Sequence, residues 1–346
     1  MLSKRELVAS VVARGGLLGC IRGFRPHYMK DLRVLAYHRV LPGSEAADFP
    51  FDPELISAWS DDFDWQMKYI ASRFDVLSCR DVVDRLEHGG KLPRRPLVVT
   101  FDDGFADNFE CAFPILRARG LPAVVFLATG YVGGSEIFWF DWLTYALTHT
   151  ACTHLPAATA GIDLDLPQSA ELRSEAVVCL LRHLKRVPNE ERTAIVARIR
   201  DSLGVSVPDE LRHKSAVLNW DQVREMASGG IEFGSHTVTH PVLSRVLDDA
   251  LLDRELVESR EEIQRQTNQQ VVAIAYPVGG KSAVNDRVIG AVERAGYKIG
   301  FTYQTGLNHI GRWDPFQLKR LRVERYMRRD MFRAMVESPE LFALRN

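Results

Sequence analysis

The chain has 346 residues and a formal net charge of -1 from 44 basic and 45 acidic side chains, which gives no electrostatic reason to expect a nucleic-acid partner or a strongly anionic ligand. Hydrophobic residues make up 46% of it, an ordinary globular fraction, yet no apolar run approaches the roughly 20 residues of a membrane-spanning helix. Its five cysteines, odd in number and without a Cys-x-x-Cys pair, argue against a disulfide framework or a thiolate metal site and suit reduced thiols.

In chain order, Lys4 and Arg5 precede an apolar stretch, Leu7 to Ala13, that Arg14 cuts short; Leu17, Leu18 and Ile21 follow two glycines. No small-residue cleavage site comes before the basic run Arg22 to Arg25, so residues 1–30 read as an amphipathic helical segment, packed on the domain or in peripheral contact with a membrane. With no clear export signal and five thiols, the expected location is the cytoplasm, with a membrane surface or the periplasm as the alternatives. Leu32 to Val40 is the first expected core strand, delivering Tyr37 and His38 before Leu41-Pro42-Gly43 stops it. A lone histidine there is ordinarily structural unless other site residues gather around it. Residues 52–90 carry helical spacing (Phe63, Met67, Ile70, Phe74), then a short strand at Val76-Leu77-Ser78 and a helix capped by Ser78 or Asp81.

Pro96 to Val99 is an apolar, β-branched run that leads into Thr100-Phe101-Asp102-Asp103-Gly104, placing two adjacent carboxylates just beyond a strand's C-terminal end, where α/β folds put their chemistry. Asn108 to Arg119 reads as a helix closed by Gly120, and Ala123 to Leu127 as a buried strand. Residues 134–215 break this rhythm with the aromatic cluster Phe138, Trp139, Phe140 and Trp142 and the helices Ala176 to Lys185 and Glu190 to Leu203. They form a helical insertion whose aromatics anchor it to the core, a sugar-stacking platform being the sharper alternative. The alternation then resumes: helix Trp220 to Ala227, strand Ile231 to Gly234, helix Asp248 to Gln266, strand Val271 to Tyr276, helix Arg287 to Ala295, strand Ile299 to Thr302, and a final helix from about Asp330.

The chemistry lies at the strand ends. His236 and His240 are four residues apart, and Pro241 disfavours helical geometry at His240, so the pair sits on a short turn or irregular loop. Two imidazoles and one carboxylate of the Asp-Asp pair would hold a divalent metal with a coordination position left open, the catalytic arrangement, and the other carboxylate would be free as a general base. His38 is the best placed remaining histidine for a proton donor.

Three stretches, Thr-Phe-Asp-Asp-Gly at 100–104, His-Thr-Val-Thr-His at 236–240 and Ala-Tyr-Pro-Val-Gly at 275–279, together resemble the polysaccharide deacetylases of carbohydrate esterase family 4. The resemblance runs in the family's order from Tyr37 to about Val323 and implies a distorted (β/α) barrel over 31–330, carrying the insertion and followed by a C-terminal helix at 331–346. It assigns Asp102 to the catalytic base, Asp103, His236 and His240 to a divalent metal (zinc first, cobalt or nickel as alternatives), and Tyr276, Pro277 and Val278 to the groove wall, with the Val278 amide stabilising the oxyanion. Two departures stand out. Ala275 and Val278 replace the family's arginine and tyrosine around the proline, so the arginine that steadies the base is sought at Arg320. The C-terminal Leu-x-His motif is missing too, but Tyr37-His38 matches the circularly permuted poly-N-acetylglucosamine deacetylase branch, in which that motif carries the acid. The implied function is removal of N-acetyl groups from an amino-sugar polymer or glycan precursor. An esterase or non-sugar amidase, a catalytically inactive glycan-binding module and a structural helical partner are the alternatives.

Overall fold

The computed structural model describes residues 31–43 and 49–343; the segment 1–30, with its expected amphipathic helix, lies outside them. Seven parallel strands form the centre: β1 Asp31–Tyr37, β2 Pro96–Phe101, β3 Val124–Leu127, β4 Glu232–Ser235, β5 Ala273–Ala275, β6 Ile299–Thr305 and β7 Leu318–Arg322. They follow one another around a ring in chain order, and β7 meets β1 (Leu35 opposite Leu321) while β1 meets β2 (Arg33 opposite Leu97, through Tyr37 opposite Phe101), so the sheet closes. Two-residue strands at Asp75–Val76 and Asn308–His309 extend it at the margins.

The closed barrel explains the apolar runs, because a parallel strand is covered on both faces. One parity (Val34, Val98, Phe126, Phe301, Leu318) packs as a single cluster. The other (Leu35, Val99, Val125, Ile274) joins the apolar faces of the surrounding helices. Among these are α1 (Ser60–Ala71), which buries Phe63, Met67 and Ile70, and α2 (Cys79–Glu87), which Ser78 opens with a reciprocal capping box to Asp81.

Several expected elements are corrected. The first strand breaks at His38, and Arg39–Leu41 pairs with Ile56–Trp59 in a separate small sheet, so between residue 52 and Ser60 only a single 3-10 turn, Pro53–Leu55, is helical and the α-helix begins at Ser60. The helix expected at 108–119 opens as a wide π turn over Asn108–Ala112 before α3 (Phe113–Ala118), in keeping with Pro114, whose nitrogen cannot donate to the preceding turn. Strand β5 keeps only three of the six residues expected of it. Strand β7 was not anticipated: Lys319, Arg320 and Arg322 give its sequence a charged look, although Arg320 is wholly buried.

The insertion builds its own core from α4 (Trp139–His149), α5 (Ala170–Leu184) and α6 (Asn189–Leu203), with Phe138, Leu143, Leu180, Ile195 and Ile199 packed onto Phe51 and Phe105. The four aromatics are buried in this core, and Trp139 and Phe140 also line the cavity described below. Two polar clamps fix it further. Arg39 pairs with Asp107 at 2.9 Å and donates to the Lys214 carbonyl at 2.5 Å, while Asp141 accepts from Ser215 Oγ at 2.8 Å and from the Asp52 amide at 3.3 Å. Burial pushes the Asp141 carboxyl up to about 7, only partly offset by the Arg39 charge and the Ser215 hydrogen bond. An acid whose folded pKa is raised binds its proton more readily when folded, so its contribution falls as pH rises between the unfolded value near 4 and about 7. Asp141→Asn keeps the acceptor without the charge; in denaturant titrations it should gain stability relative to the parent as pH rises from 5 to 8, and a pH-independent difference would contradict this reading.

Candidate metal-centred active site

The turn after β2 separates the two adjacent carboxylates. The Asp102 amide continues the ladder by donating to the Tyr37 carbonyl at 3.0 Å, after which Asp103 (φ 71°) and Gly104 (φ 73°) both enter the left-handed region. A β-carbon at Gly104 would lie 2.6 Å from Leu127 Cδ2, so glycine is required for space as well as for φ. This sharp reversal sends Asp102 toward β7 and Asp103 toward the loop after β4.

Asp102 meets Arg320 in a two-pronged ion pair, with Nη1 to Oδ1 and Nη2 to Oδ2 both at 2.7 Å. Arg320 also donates to the Thr302 carbonyl at 2.9 Å and Thr100 Oγ1 at 3.3 Å. Burial pushes the Asp102 carboxyl up, but the Arg320 charge and hydrogen bonds, helped by His236 and His38, outweigh it and hold the group below the usual carboxylate range.

Asp103 faces both histidines. Its Oδ1 lies 3.4 Å from His236 Nε2 and 3.3 Å from His240 Nε2, yet is buried without an aligned hydrogen-bond donor among the described residues. A tetrahedral ion with ligands at about 2.0–2.1 Å sets neighbouring ligand atoms roughly 3.3–3.4 Å apart, so this spacing and the orphaned oxygen fit a shared metal. All three ligand atoms lie within 4.8 Å of one another. His236 Nδ1 sits 2.7 Å from the Ala275 carbonyl, which fixes its other nitrogen toward Asp103. Burial raises the Asp103 carboxyl, but the two imidazoles facing it hold it well below the usual range. Burial lowers both imidazoles: at His240 it prevails and the pKa falls to about 4, leaving the neutral, ligating form, whereas at His236 the facing carboxylates outweigh it and the pKa is raised.

The histidine loop is irregular, as Pro241 suggested, with Thr237 (φ 71°) and His240 (φ 56°) both left-handed. It is held throughout. Thr237 N–H donates to Ser235 Oγ at 3.0 Å, and His240 N–H to Thr237 Oγ1 at 3.0 Å. From α7 (Asp249–Thr267), the Glu255 carboxylate accepts from the Val238 and Thr239 amides at 2.8 and 2.9 Å and from Thr239 Oγ1 at 2.5 Å.

The remaining expected residues gather around a cavity of about 260 Å³ over this centre. His38 Nε2 stands 3.8 Å from Asp102 Oδ2; its amide donates to Ser57 Oγ and its carbonyl accepts from Asn108 Nδ2, both at 2.9 Å. Tyr276 lends the wall its ring, since its hydroxyl is committed to the Phe316 carbonyl at 2.8 Å. Val278 (φ 64°) lines the cavity, whereas Pro277 is buried behind it. Sequence reasoning missed Glu255 and the wall residues Asp52, Lys185 and Tyr303. Lys185 reads in the sequence as an ordinary basic residue at a helix end, and Glu255 as one of many charges on a surface helix; only the Asp-Gly and His-x-x-x-His patterns carried a local signal. Because Glu255 holds two consecutive amides between the ligands, Glu255→Ala should weaken zinc affinity by about 10- to 100-fold in competition titrations with a chromophoric chelator. Affinity unchanged within twofold would show that the loop holds its shape without it.

Comparison with known proteins places the fold and the sequence among relatives. The family profile described as "Polysaccharide deacetylase" matches residues 182–300, a span that includes both histidines and Tyr276 to Val278. YxkH of Bacillus subtilis (strain 168), whose name assigns it to the polysaccharide deacetylases, is 22% identical over 308 residues, covering 89% of this chain and 76% of its own. A Staphylococcus aureus poly-beta-1,6-N-acetyl-D-glucosamine N-deacetylase is 27% identical over 118 residues, 32% of this chain and 40% of that one. Two solved structures share the fold: the Streptococcus pyogenes deacetylase PplD in complex with acetate (TM-score 0.57, 21% identity, 90% of this chain and 100% of that one) and IcaB from Ammonifex degensii (TM-score 0.55, 19% identity, 90% and 98%). With its closed parallel barrel, its family-profile match over residues 182–300 and motifs in the family's order, the chain is similar to the polysaccharide deacetylases in fold and in sequence.

Proposed function

We propose that the protein is a metal-dependent hydrolase that removes N-acetyl groups from amino sugars of a polysaccharide or glycan precursor and releases acetate. The observation that carries this reading is the division of labour within one cavity: a carboxylate clamped by Arg320 stands next to a carboxylate that converges with two imidazoles. The S. aureus relative's name supports an N-acetylglucosamine polymer as the substrate.

Asp103, His236 and His240 would hold a divalent ion, zinc being the first choice for two imidazoles and a carboxylate; when bound it supplies Lewis-acid polarisation of the acyl carbonyl and acidifies water. Asp102 accepts the proton of the attacking water. Arg320 keeps it ionised and fixes both of its oxygens, so the base cannot swing onto the metal position occupied by Asp103. The Val278 amide, turned by its left-handed backbone at the cavity wall, supplies a donor for the oxyanion. His38, half-buried and within 3.8 Å of Asp102, delivers a proton to the departing nitrogen, without which the amine is a poor leaving group.

The test is acetate release from defined N-acetylglucosamine oligomers, set against O-acetylated esters of the same size. The expected outcome is N-acetyl hydrolysis that a chelator abolishes and added zinc restores. Chelator-insensitive release, or hydrolysis confined to the esters, would contradict the proposal.

A further inference from the structure

The insertion contributes more than apolar anchoring to the cavity. Lys185, the residue capping the C-terminal end of α5, lines the same cavity as Trp139, Phe140 and the candidate metal ligands. It is partly buried, and among the described residues it makes neither an ion pair nor a side-chain hydrogen bond. The charges that act on it are those of Asp52 and Asp103. Asp52 lies on the same wall. Its Oδ1 caps the Glu54 amide at 3.0 Å and its own amide is tied to Asp141, while Oδ2 is left without a partner among the described residues.

An ammonium and a carboxylate oxygen that line a cavity without a protein partner are free to bond a ligand there, and both are served when the ligand brings groups that accept from one and donate to the other. A sugar hydroxyl does both, and the nearby faces of Trp139, Phe140 and Tyr276 offer the apolar surface on which a sugar ring packs. An anionic substituent is a poorer match, because Asp52, Glu54 and Glu324 already place carboxylates around this wall.

We propose that Lys185 and Asp52 form a donor–acceptor pair that grips neutral hydroxyls of the sugar carrying or flanking the acetamido group, so that the helical insertion sets the glycan specificity of the site. The proposal rests on the reading of the cavity as a glycan site, but not on turnover. Lys185 is thus a positioning residue; it moves no proton in the reaction.

The experiment uses the zinc-loaded full chain and tetramers of N-acetylglucosamine, β-1,4- and β-1,6-linked, with binding measured calorimetrically on an Asp102→Asn background that prevents turnover. Lys185→Met should weaken binding of the better-bound tetramer by about 10- to 100-fold, the effect of losing a charge-assisted hydrogen bond, and Asp52→Asn by a smaller factor. Lys185→Gln, which retains a neutral donor, should fall between parent and Lys185→Met. On the wild-type background, Lys185→Met should raise KM for the tetramer more than it lowers kcat and leave hydrolysis of 4-nitrophenyl acetate, which carries no sugar, unchanged. Melting temperature and zinc content serve as checks that each variant is folded and loaded. Tetramer binding within twofold of the parent for both Lys185 variants would overturn the proposal. So would tighter binding of the β-1,4-linked tetramer after oxidation of its free C6 hydroxyls to carboxylates, which would make Lys185 an anion site, or a parallel loss of nitrophenyl acetate hydrolysis, which would place Lys185 in the general chemistry. If the tetramer binds in a Lys185-dependent way but the wild type releases no acetate from it, the deacetylase reading fails and this one stands.

Discussion

The ion pair between Arg320 and Asp102 is the constraint on which the rest of the site depends. Both side chains are buried, and neither could be left there alone: removing one partner of such a pair costs about 3–5 kcal/mol because the other charge stays stranded in a poorly polarisable surrounding. The pair bridges β7 to the end of β2 across β1, the three strands through which the barrel closes. Closure of the sheet and orientation of the Asp102 carboxylate are therefore one event. With both oxygens of Asp102 occupied by a planar guanidinium, the neighbouring Asp103 is the carboxylate left to converge with His236 and His240.

That convergence requires backbone conformations that side-chain-bearing residues avoid. Five non-glycine described residues have positive φ: Asp103, His240 and Val278 line the cavity, Thr237 lies in the histidine loop, and Asn268 caps a helix. Each such position costs on the order of 1–3 kcal/mol and persists only when its surroundings over-determine it. The hydrogen bonds from Ser235, Thr237 and Glu255 into the histidine loop, and the Gly279 carbonyl that accepts from the Tyr303 amide at 2.7 Å, provide that determination. The barrel core supplies the stability that tolerates it.

The sequence exposed those parts of the site whose chemistry is carried by local patterns. Asp102-Asp103-Gly104 announces a turn with two acids, His236 and His240 announce a ligand pair, and apolar runs alternating with helical spacing announce parallel strands. Long-range relations left weaker marks. Arg320 was proposed because the usual arginine was missing, but the strand that carries it was not seen, since alternating basic residues look like a solvated surface until the barrel closes over one of them. The break at His38, which turns Arg39–Leu41 away to a second small sheet, has no local signature either. Lys185 and Asp52 come together only because the insertion folds back over the cavity, and nothing in either stretch of sequence specifies that approach.

The central claim is that two consecutive carboxylates have different tasks, one taking a proton and the other holding a metal. Measuring zinc content by mass spectrometry alongside acetate release, for Asp102→Asn and Asp103→Asn purified in parallel, tests it most directly. The account predicts that Asp102→Asn retains about one zinc per chain but loses nearly all activity, whereas Asp103→Asn loses the zinc and the activity together. Equal zinc loss in both variants, or a zinc-free Asp102→Asn beside a zinc-loaded Asp103→Asn, would contradict it.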